Sequence, residues 1–280
     1  MKAPTASLAK TKMTLSEAVK ILENAGVDSP LYDARELFGL FCQRPVMLNT
    51  SCDAPELLEM IERRKNREPL QYIIGNVDFY RENYTVTPDC LIPRADTEIL
   101  VDFAVKNLPR GARFIDLCTG SGCVAVSTLK NSCETTAVAV DISPAALEIA
   151  RRNAGKNGVA ERLDLMLADA CERAVTDRAF ALLSNPPYVA DEVYESLEGE
   201  IFCEPKIAFV GGRDGGDFYR KITPIYRDII DKEGFIAYEI GYDQAELLRT
   251  IAEENRMTCE IIKDLSGNNR VAVLRIRSSV

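Results

Sequence analysis

Apolar residues recur at helical spacing through the first seventy positions, then give way to short apolar runs of strand length. Thr14-Leu15-Ser16-Glu17 carries a Thr and a Glu three apart, the capping-box signature, ahead of Ala18, Val19, Ile21 and Leu22. Ser29-Pro30 opens a second helix whose face is Leu31, Ala34, Leu37, Phe38 and Phe41. Asp53 with Pro55 starts a third, carrying Leu57, Leu58 and Ile61, and it ends in Arg63-Arg64-Lys65-Asn66-Arg67. A basic run complements the dipole at a helix carboxyl end, so a solvated terminus is expected there. Helices this short bury little alone, which predicts a small bundle docked on something larger. Lys2, Lys10 and Lys12, set among small polar residues, read as a loose tail.

From Tyr72 to Leu91 the texture turns to β, with Tyr72, Ile73, Ile74, Phe79, Tyr80, Tyr84 and Val86, and a linker hairpin is predicted. Beyond it, strands and helices alternate in the α/β manner. Phe114-Ile115-Asp116-Leu117 is a strand, followed by a glycine turn and a helix from Val124. Thr136 to Val140 is a second strand ending at Asp141, and Ser143-Pro144 opens a helix reaching about Asn157. Leu163 to Leu167 is a third strand, Ala179 to Leu183 a fourth and Gly234 to Glu239 a fifth. Cys259–Ile262 and Val271–Ile276 form a closing pair around Asn268-Asn269. The expected domains are therefore residues 1–71 (helical), 72–92 (hairpin linker) and 93–280 (α/β), with no internal repeat.

Composition narrows the chemistry. At 280 residues, 46% hydrophobic and 28% charged, the chain suits a globular enzyme of one large and one small domain. No apolar stretch is long enough to span a bilayer and no signal-peptide core is seen, so a cytoplasmic protein away from membranes is expected. There is no histidine, which removes Ser-His and Cys-His catalysis. Nine scattered cysteines without a Cys-x-x-Cys pair offer no metal site and read as reduced thiols. The net charge of −9 argues against direct binding of nucleic acid as the main task. Up to Ile92 there are thirteen acidic and eleven basic residues, a poor balance for gripping DNA.

Asn185-Pro186-Pro187-Tyr188 follows the fourth strand. The Asn side-chain oxygen and the Pro186 carbonyl can both accept from one NH2 group, the prolines stiffen the turn, and the tyrosine offers a flat face. Such a device suits an amide or aromatic amine held for attack through nitrogen. Upstream, Asp116-Leu117-Cys118-Thr119-Gly120-Ser121-Gly122 is a strand-to-helix turn with two glycines, which allow a ligand close to the backbone. With Ala125 it also fits the dinucleotide fingerprint, so a nicotinamide enzyme stays open on this motif alone. Asp141, nineteen residues past Gly122, stands where a carboxylate can hold two ribose hydroxyls. Asp169 ends the third strand in the same way and can accept from an adenine amino group. Four successive strand ends thus carry Asp116, Asp141, Asp169 and Asn185. The first three make an adenosine-shaped site and the fourth an amine-holding site. Nicotinamide chemistry has no need of the second device; methyl transfer from S-adenosylmethionine to nitrogen does.

The chain resembles the peptide chain release factor glutamine N5-methyltransferase family, within the class I S-adenosylmethionine-dependent methyltransferases. The likeness rests on Arg67 to Gly75 (REPLQYIIG), Leu91 to Glu98 (LIPRADTE), the glycine turn, Asn185 to Tyr188, Glu204-Pro205, Gly211 to Gly215 with Phe218-Tyr219-Arg220, and Asp264 to Arg270. It implies an α/β, Rossmann-like catalytic domain, with a mostly parallel sheet and a C-terminal antiparallel strand, after a small all-α domain. It implies S-adenosylmethionine as cofactor, bound by Asp116, Cys118, Thr119, Gly120, Ser121, Gly122, Asp141, Asp169, Ala170 and Asn185. It implies Asn185, Pro186, Pro187, Tyr188 and Arg94 at the target glutamine, with Asn185, Pro186 and Tyr188 carrying the chemistry. The implied partner is a class 1 release factor, methylated in its Gly-Gly-Gln loop and recognised by the helical domain; a monomer is the expected state. Ala95 departs from a common proline, Ala170 from a common bulky residue over the adenine, and Cys118 and Cys123 from smaller residues beside the turn.

An amide nitrogen is a poor nucleophile, so alignment of its lone pair is expected to supply most of the rate. The sequence names no acceptor for the proton that must leave. Three rivals share parts of this pattern: an adenine-N6 nucleic-acid methyltransferase, a methyltransferase for a ribosomal-protein glutamine, and a non-catalytic scaffold that kept the fold.

Overall fold

The computed structural model describes residues 12–42, 45–197 and 199–277. The chain forms two compact units that part between Gly75 and Asn76.

In the first unit, the strand β1 (Lys12–Thr14) pairs antiparallel with β2 (Ser51–Asp53), so this unit is not purely helical as expected. Helix α1 (Leu15–Asn24) begins with the predicted capping box: Thr14 Oγ1 accepts from the Glu17 amide at 3.2 Å and Glu17 Oε2 from the Thr14 amide at 2.8 Å. Helices α2 (Pro30–Gly39) and α3 (Pro55–Lys65) each start on a proline, whose missing N–H costs nothing there. Leu15, Leu22, Leu37, Phe38 and Leu57 are fully buried and form the core of the unit. Asp53 does not cap α3; it ends β2, and Ala54 occupies the cap. The basic run is not a uniformly solvated end either. Arg64 is buried and donates to Asp33 at 2.6 Å and to the Glu68 carbonyl at 2.9 Å, which ties α3 to α2. Leu70–Ile74 is a helical turn, α4, rather than strand, and it stops at Gly75 with φ 82°. A short apolar run does not distinguish the two periods, and Pro69 at the cap decides for helix. Of the expected N-terminal tail only Lys12 lies among the described residues, in β1.

The second unit opens with the predicted hairpin, β3 (Asn76–Phe79) against β4 (Glu82–Thr85). There follow α5 (Glu98–Asn107), β5 (Arg113–Leu117), α6 (Cys123–Asn131), β6 (Thr136–Asp141), α7 (Pro144–Lys156), β7 (Leu163–Leu167) and β8 (Ala179–Ser184). Helices α8 (Asp191–Ser196) and α9 (Asp217–Tyr226) precede β9 (Ile230–Glu239), and α10 (Ala245–Glu254) precedes β10 (Met257–Lys263) and β11 (Asn269–Ile276). Seven strands form one sheet in the order β10-β11-β9-β8-β5-β6-β7. Every neighbouring pair from β9 to β7 is parallel, while β11 runs antiparallel to both its neighbours. This is the Rossmann-like arrangement that the sequence implies. Successive residues of each central strand serve opposite faces: Phe114, Leu183 and Ala237 pack with α5 and α6, and Ile115, Leu182 and Ile236 with α9 and α10. Chain order reverses at β5, which has β6 on one side and β8 on the other. Ligands of open α/β sheets sit at such a switch point, beyond the carboxyl ends of the strands.

Candidate active site

The turn after β5 is built under strain. Cys118 has φ 58°, unfavourable for a residue with a Cβ, at a cost of about 1–2 kcal/mol. Two bonds hold it there: the Thr119 amide donates to the Val140 carbonyl at 3.1 Å, and Thr119 Oγ1 to Asp116 Oδ2 at 2.6 Å. Asp116 also takes the Ala125 amide, and burial pushes its carboxyl up to about 7. Gly122 has φ 80°, and a Cβ there would fall 3.0 Å from the Cβ of Ala150, so glycine lets α7 pack on the turn.

Asp141 closes the turn from the next strand. Its Oδ2 accepts the Gly120 amide at 2.8 Å and its Oδ1 the Ser143 amide at 2.9 Å. A carboxylate offers about four lone-pair positions, so Asp141 keeps acceptor capacity for a ligand hydroxyl. Burial raises the Asp141 carboxyl, with the backbone amides of Ser143, Gly120 and Ile142 opposing. Asp169 is half-buried and spends Oδ1 on the Cys171 amide at 2.8 Å.

A cavity of about 330 Å³ lies over these strand ends, within the range of small-ligand sites. Of the residues expected at the cofactor, Cys118, Gly120, Asp141, Asp169, Ala170 and Asn185 line it; Pro187, expected at the glutamine, lines this cavity and not the second. Asp116, Thr119, Ser121 and Gly122 do not; their side chains or conformations hold the turn from beneath. The Ser121 carbonyl, for instance, accepts from Asn153 Nδ2 at 2.8 Å. The sequence reading missed Ile142, whose side chain is 53% exposed beside Asp141, and also Phe218 and Lys221. An apolar residue directly after a strand-end Asp was the available signal for Ile142.

A second cavity, about 270 Å³, shares Leu91, Asn185 and Ala208 with the first. Asn185 Nδ2 donates to Thr97 Oγ1 at 3.1 Å, which leaves the side-chain oxygen as a free acceptor at the junction. Tyr188 lines the second cavity, and its hydroxyl donates to Glu239 Oε1 at 3.2 Å. Burial of the Tyr188 hydroxyl, with Glu239 beside it, raises its pKa. Pro186 is buried and lines neither cavity, so the structure does not bring it to the wall of the site as expected. Arg94 lines the second cavity but is ion-paired with buried Glu204, which also accepts the Ile92 amide at 2.9 Å. The motifs around Arg94 and Glu204 therefore meet each other.

The glycine-rich segment is a buttress for the Asn185–Tyr188 turn. A Cβ on Gly211 would fall 2.5 Å from the Pro187 carbonyl oxygen, and one on Gly215 would collide with that of Tyr188. The Gly211 amide donates to the Val189 carbonyl at 2.9 Å, and Gln244 Nε2 to the Tyr188 carbonyl at 2.9 Å. At the far end, Arg270 reaches both Asp264 and Asp96 at 3.3 Å, so the last motif anchors the loop that carries Thr97. Glu239, at the carboxyl end of β9, is the functional candidate that the sequence reading passed over. It sits at a strand end like Asp141, and that position was the signal.

Comparison with known proteins agrees with this geometry. Residues 95–210 match the Methyltransferase small domain family. The chain is 37% identical over 219 residues to the release factor glutamine methyltransferase of Geobacter sulfurreducens, covering 78% of this chain and 76% of that one. It is 33% identical over 271 residues to the protein of the same name from Moorella thermoacetica, covering 92% and 96%. Among solved structures, a ribosomal protein L11 methylase from Lactobacillus delbrueckii subsp. bulgaricus shares the fold, with a TM-score of 0.51 at 16% identity over 69% of this chain and 84% of that one.

Proposed function

Because the chain belongs to the family of release factor glutamine methyltransferases, we propose that it transfers a methyl group from S-adenosylmethionine to the side-chain amide nitrogen of a glutamine, in the Gly-Gly-Gln loop of a class 1 release factor. The observation that carries this reading is Asn185, a single acceptor standing where two cavities join. One cavity has the carboxylate oxygens that a ribose needs, and the other is mostly apolar around the carboxylate of Glu239.

The residues fit the cofactor. Asp141 keeps acceptor capacity for ribose hydroxyls beyond its backbone bonds, Asp169 spends Oδ1 on the Cys171 amide and stands in the same cavity, and Ile142 offers an apolar wall for the adenine in place of the stacking that Ala170 cannot give. When bound, S-adenosylmethionine supplies an electrophilic methyl group on a cationic sulfur. Everything else is done by the chain. Asn185 Oδ1 and the Pro186 carbonyl take the two amide hydrogens, which directs the nitrogen lone pair towards the first cavity. Thr97 fixes the orientation of the Asn185 amide by accepting from its NH2. Tyr188 closes the second cavity against the amide plane. With the nucleophile held in this way, positioning accounts for most of the acceleration. The helical first unit is assigned to recognition of the release factor, and such a substrate places the enzyme in the cytoplasm; no helix among the described residues is long and apolar enough to cross a membrane.

The test is a transfer assay with labelled S-adenosylmethionine, offering release factor, ribosomal protein L11 and DNA side by side. A mass gain of one methylene on the Gly-Gly-Gln glutamine is the expected result. Label in the ribosomal protein or in adenine alone would overturn the substrate assignment.

A further inference from the structure

We propose that Glu239 is the group that takes the proton lost from the amide nitrogen, accepting it on Oε2. This rests on the substrate reading above. Glu239 is 1% exposed, lines the second cavity with Asn185 and Tyr188, and spends Oε1 on the Tyr188 hydroxyl. Its Oε2 is buried with no hydrogen-bond partner among the described residues, a costly state for a carboxylate oxygen unless something is to be received there.

Elimination supports the choice. The chain has no imidazole. Asp116 lines neither cavity, and Asp89, Asp141 and Asp169 line the first but not the second, Asp141 with both oxygens bonded to backbone amides. Asp96 and Asp264 are paired with Arg270, and Glu204 with Arg94 and the Ile92 amide. Glu239 is the carboxylate of the second cavity that keeps an oxygen to spare.

The step balances. The nitrogen lone pair forms the N–C bond as the S–C bond breaks, its electrons staying on sulfur. One of the two hydrogens then leaves its acceptor, Asn185 Oδ1 or the Pro186 carbonyl, the N–H bond breaks with its electron pair remaining on nitrogen, and the proton passes to Oε2. A cationic sulfonium and an anionic carboxylate become a neutral sulfide and a neutral acid, so no charge is left in the buried site.

Burial pushes the Glu239 carboxyl up to about 7, with the Thr97 and Tyr188 hydroxyls and Arg270 opposing and Asp96 reinforcing. The other groups that face it are Tyr219, whose hydroxyl donates to the Glu239 carbonyl, Cys123 on α6, and Arg94 across the cavity. Only the ionised form accepts a proton, so the rate should fall as pH drops through about 7 and level off above it.

The experiment compares wild type with Glu239→Gln in single-turnover methylation of release factor, from well below to well above neutrality. The expected result is a variant slower by about 10²–10⁴-fold with no acid limb, and with S-adenosylhomocysteine affinity and melting temperature close to wild type. A variant within about threefold of wild type, or one that keeps the acid limb, would overturn the proposal. Two measurements do not depend on the variant's activity. The wild-type profile alone must show the acid limb, and a flat one counts against Glu239. Carboxyl NMR of ¹³C-glutamate-labelled protein should show a resonance that titrates near neutrality and is missing in the variant; its absence from wild type also counts against. A wild-type enzyme that leaves the release factor unlabelled would sink the substrate reading, whereas an active wild type with an unchanged variant sinks only the proton acceptor.

Discussion

The two cavities that meet at Asn185 are built on opposite principles. In the first, backbone amides bond the carboxylates at its strand ends, two on Asp141 and one on Asp169, while Asp116 is held from below by Thr119 and Ala125. In the second, the central carboxylate keeps one oxygen free, and its neighbours Arg94 and Tyr188 are spent on Glu204 and on Glu239 itself. A carboxylate held by backbone amides is a binding surface, because its geometry is fixed before the ligand arrives. A carboxylate with a free, desolvated oxygen is a reactive one, because accepting a proton relieves the cost of its burial. The chain thus separates holding a ligand from handling a proton by how deeply it buries each acid, Asp141 and Asp169 being partly exposed and Glu239 1% exposed.

The strongest way to break this comparison is to remove the residue that both cavities share. Asn185→Ala deletes the acceptor at the junction but leaves Asp141 and Asp169 as they are. Methyl transfer should fall by at least about 10²–10³-fold, while S-adenosylhomocysteine affinity stays within several-fold. Equilibrium binding and labelled transfer on the same preparation check this. Loss of binding in step with activity would mean that Asn185 serves chiefly the first cavity.

Gly215→Ala attacks the same junction from behind. The residue has φ 75°, and its new Cβ would collide with the Tyr188 carbonyl, so the turn must shift or the buttress must give. Displacement of the turn should cost about 10²-fold in transfer, together with a lower melting temperature. Unchanged activity would show that the glycine segment does not set the position of the turn.

The first cavity is tested by Asp141→Asn. The amide presents an NH2 to one of the two backbone amides that the carboxylate accepts, and it loses its charge towards a ribose. Losing a hydrogen bond to a charged group is worth about 1.5–3 kcal/mol, or roughly 10- to 100-fold in cofactor affinity. The rate at saturating cofactor should change far less, and a calorimetric titration alongside the assay separates the two. An equal fall in rate would place Asp141 in the chemistry and dissolve the division between the cavities.

The same contrast explains what could be read in advance. Asp141, Asp169 and the glycine turn are local: each acid ends its own strand at a regular spacing, and strand ends announce themselves in the apolar pattern. The seven strands, the capping box at Thr14 and the turn at Asn185 were legible for that reason. The second cavity is assembled from distant positions: Asn185 and Glu239 meet because β8 lies beside β9, and Arg94 joins them from a loop ion-paired to Glu204. No periodicity records that neighbourhood. Arg64 was misread in the same way: its run looks like a helix end, and its burial depends on Asp33, thirty-one positions earlier. Tyr72 to Ile74 failed differently, because three apolar residues in a row carry no period at all.

The smallest effect expected is on stability, and it compares one buried acid from each region. Asp116 beneath the first cavity and Glu239 in the second are both held near 7, raised by burial from ordinary values of 3.8 and 4.5. A folded-state pKa above the unfolded one means that the native state holds more protons between the two values. The associated stability is therefore fully present below the unfolded pKa and is lost as pH rises through about 7. Wild type should melt at a lower temperature just above neutrality than in mild acid. Glu239→Gln, which cannot ionise, should lose less of its melting temperature over the same change, and Asp116→Asn should do likewise. The two variants part in function: Asp116→Asn disturbs the turn and weakens cofactor binding, whereas Glu239→Gln leaves binding intact and slows transfer. If both weakened binding equally, the distinction between a tied acid and a reactive one would fail.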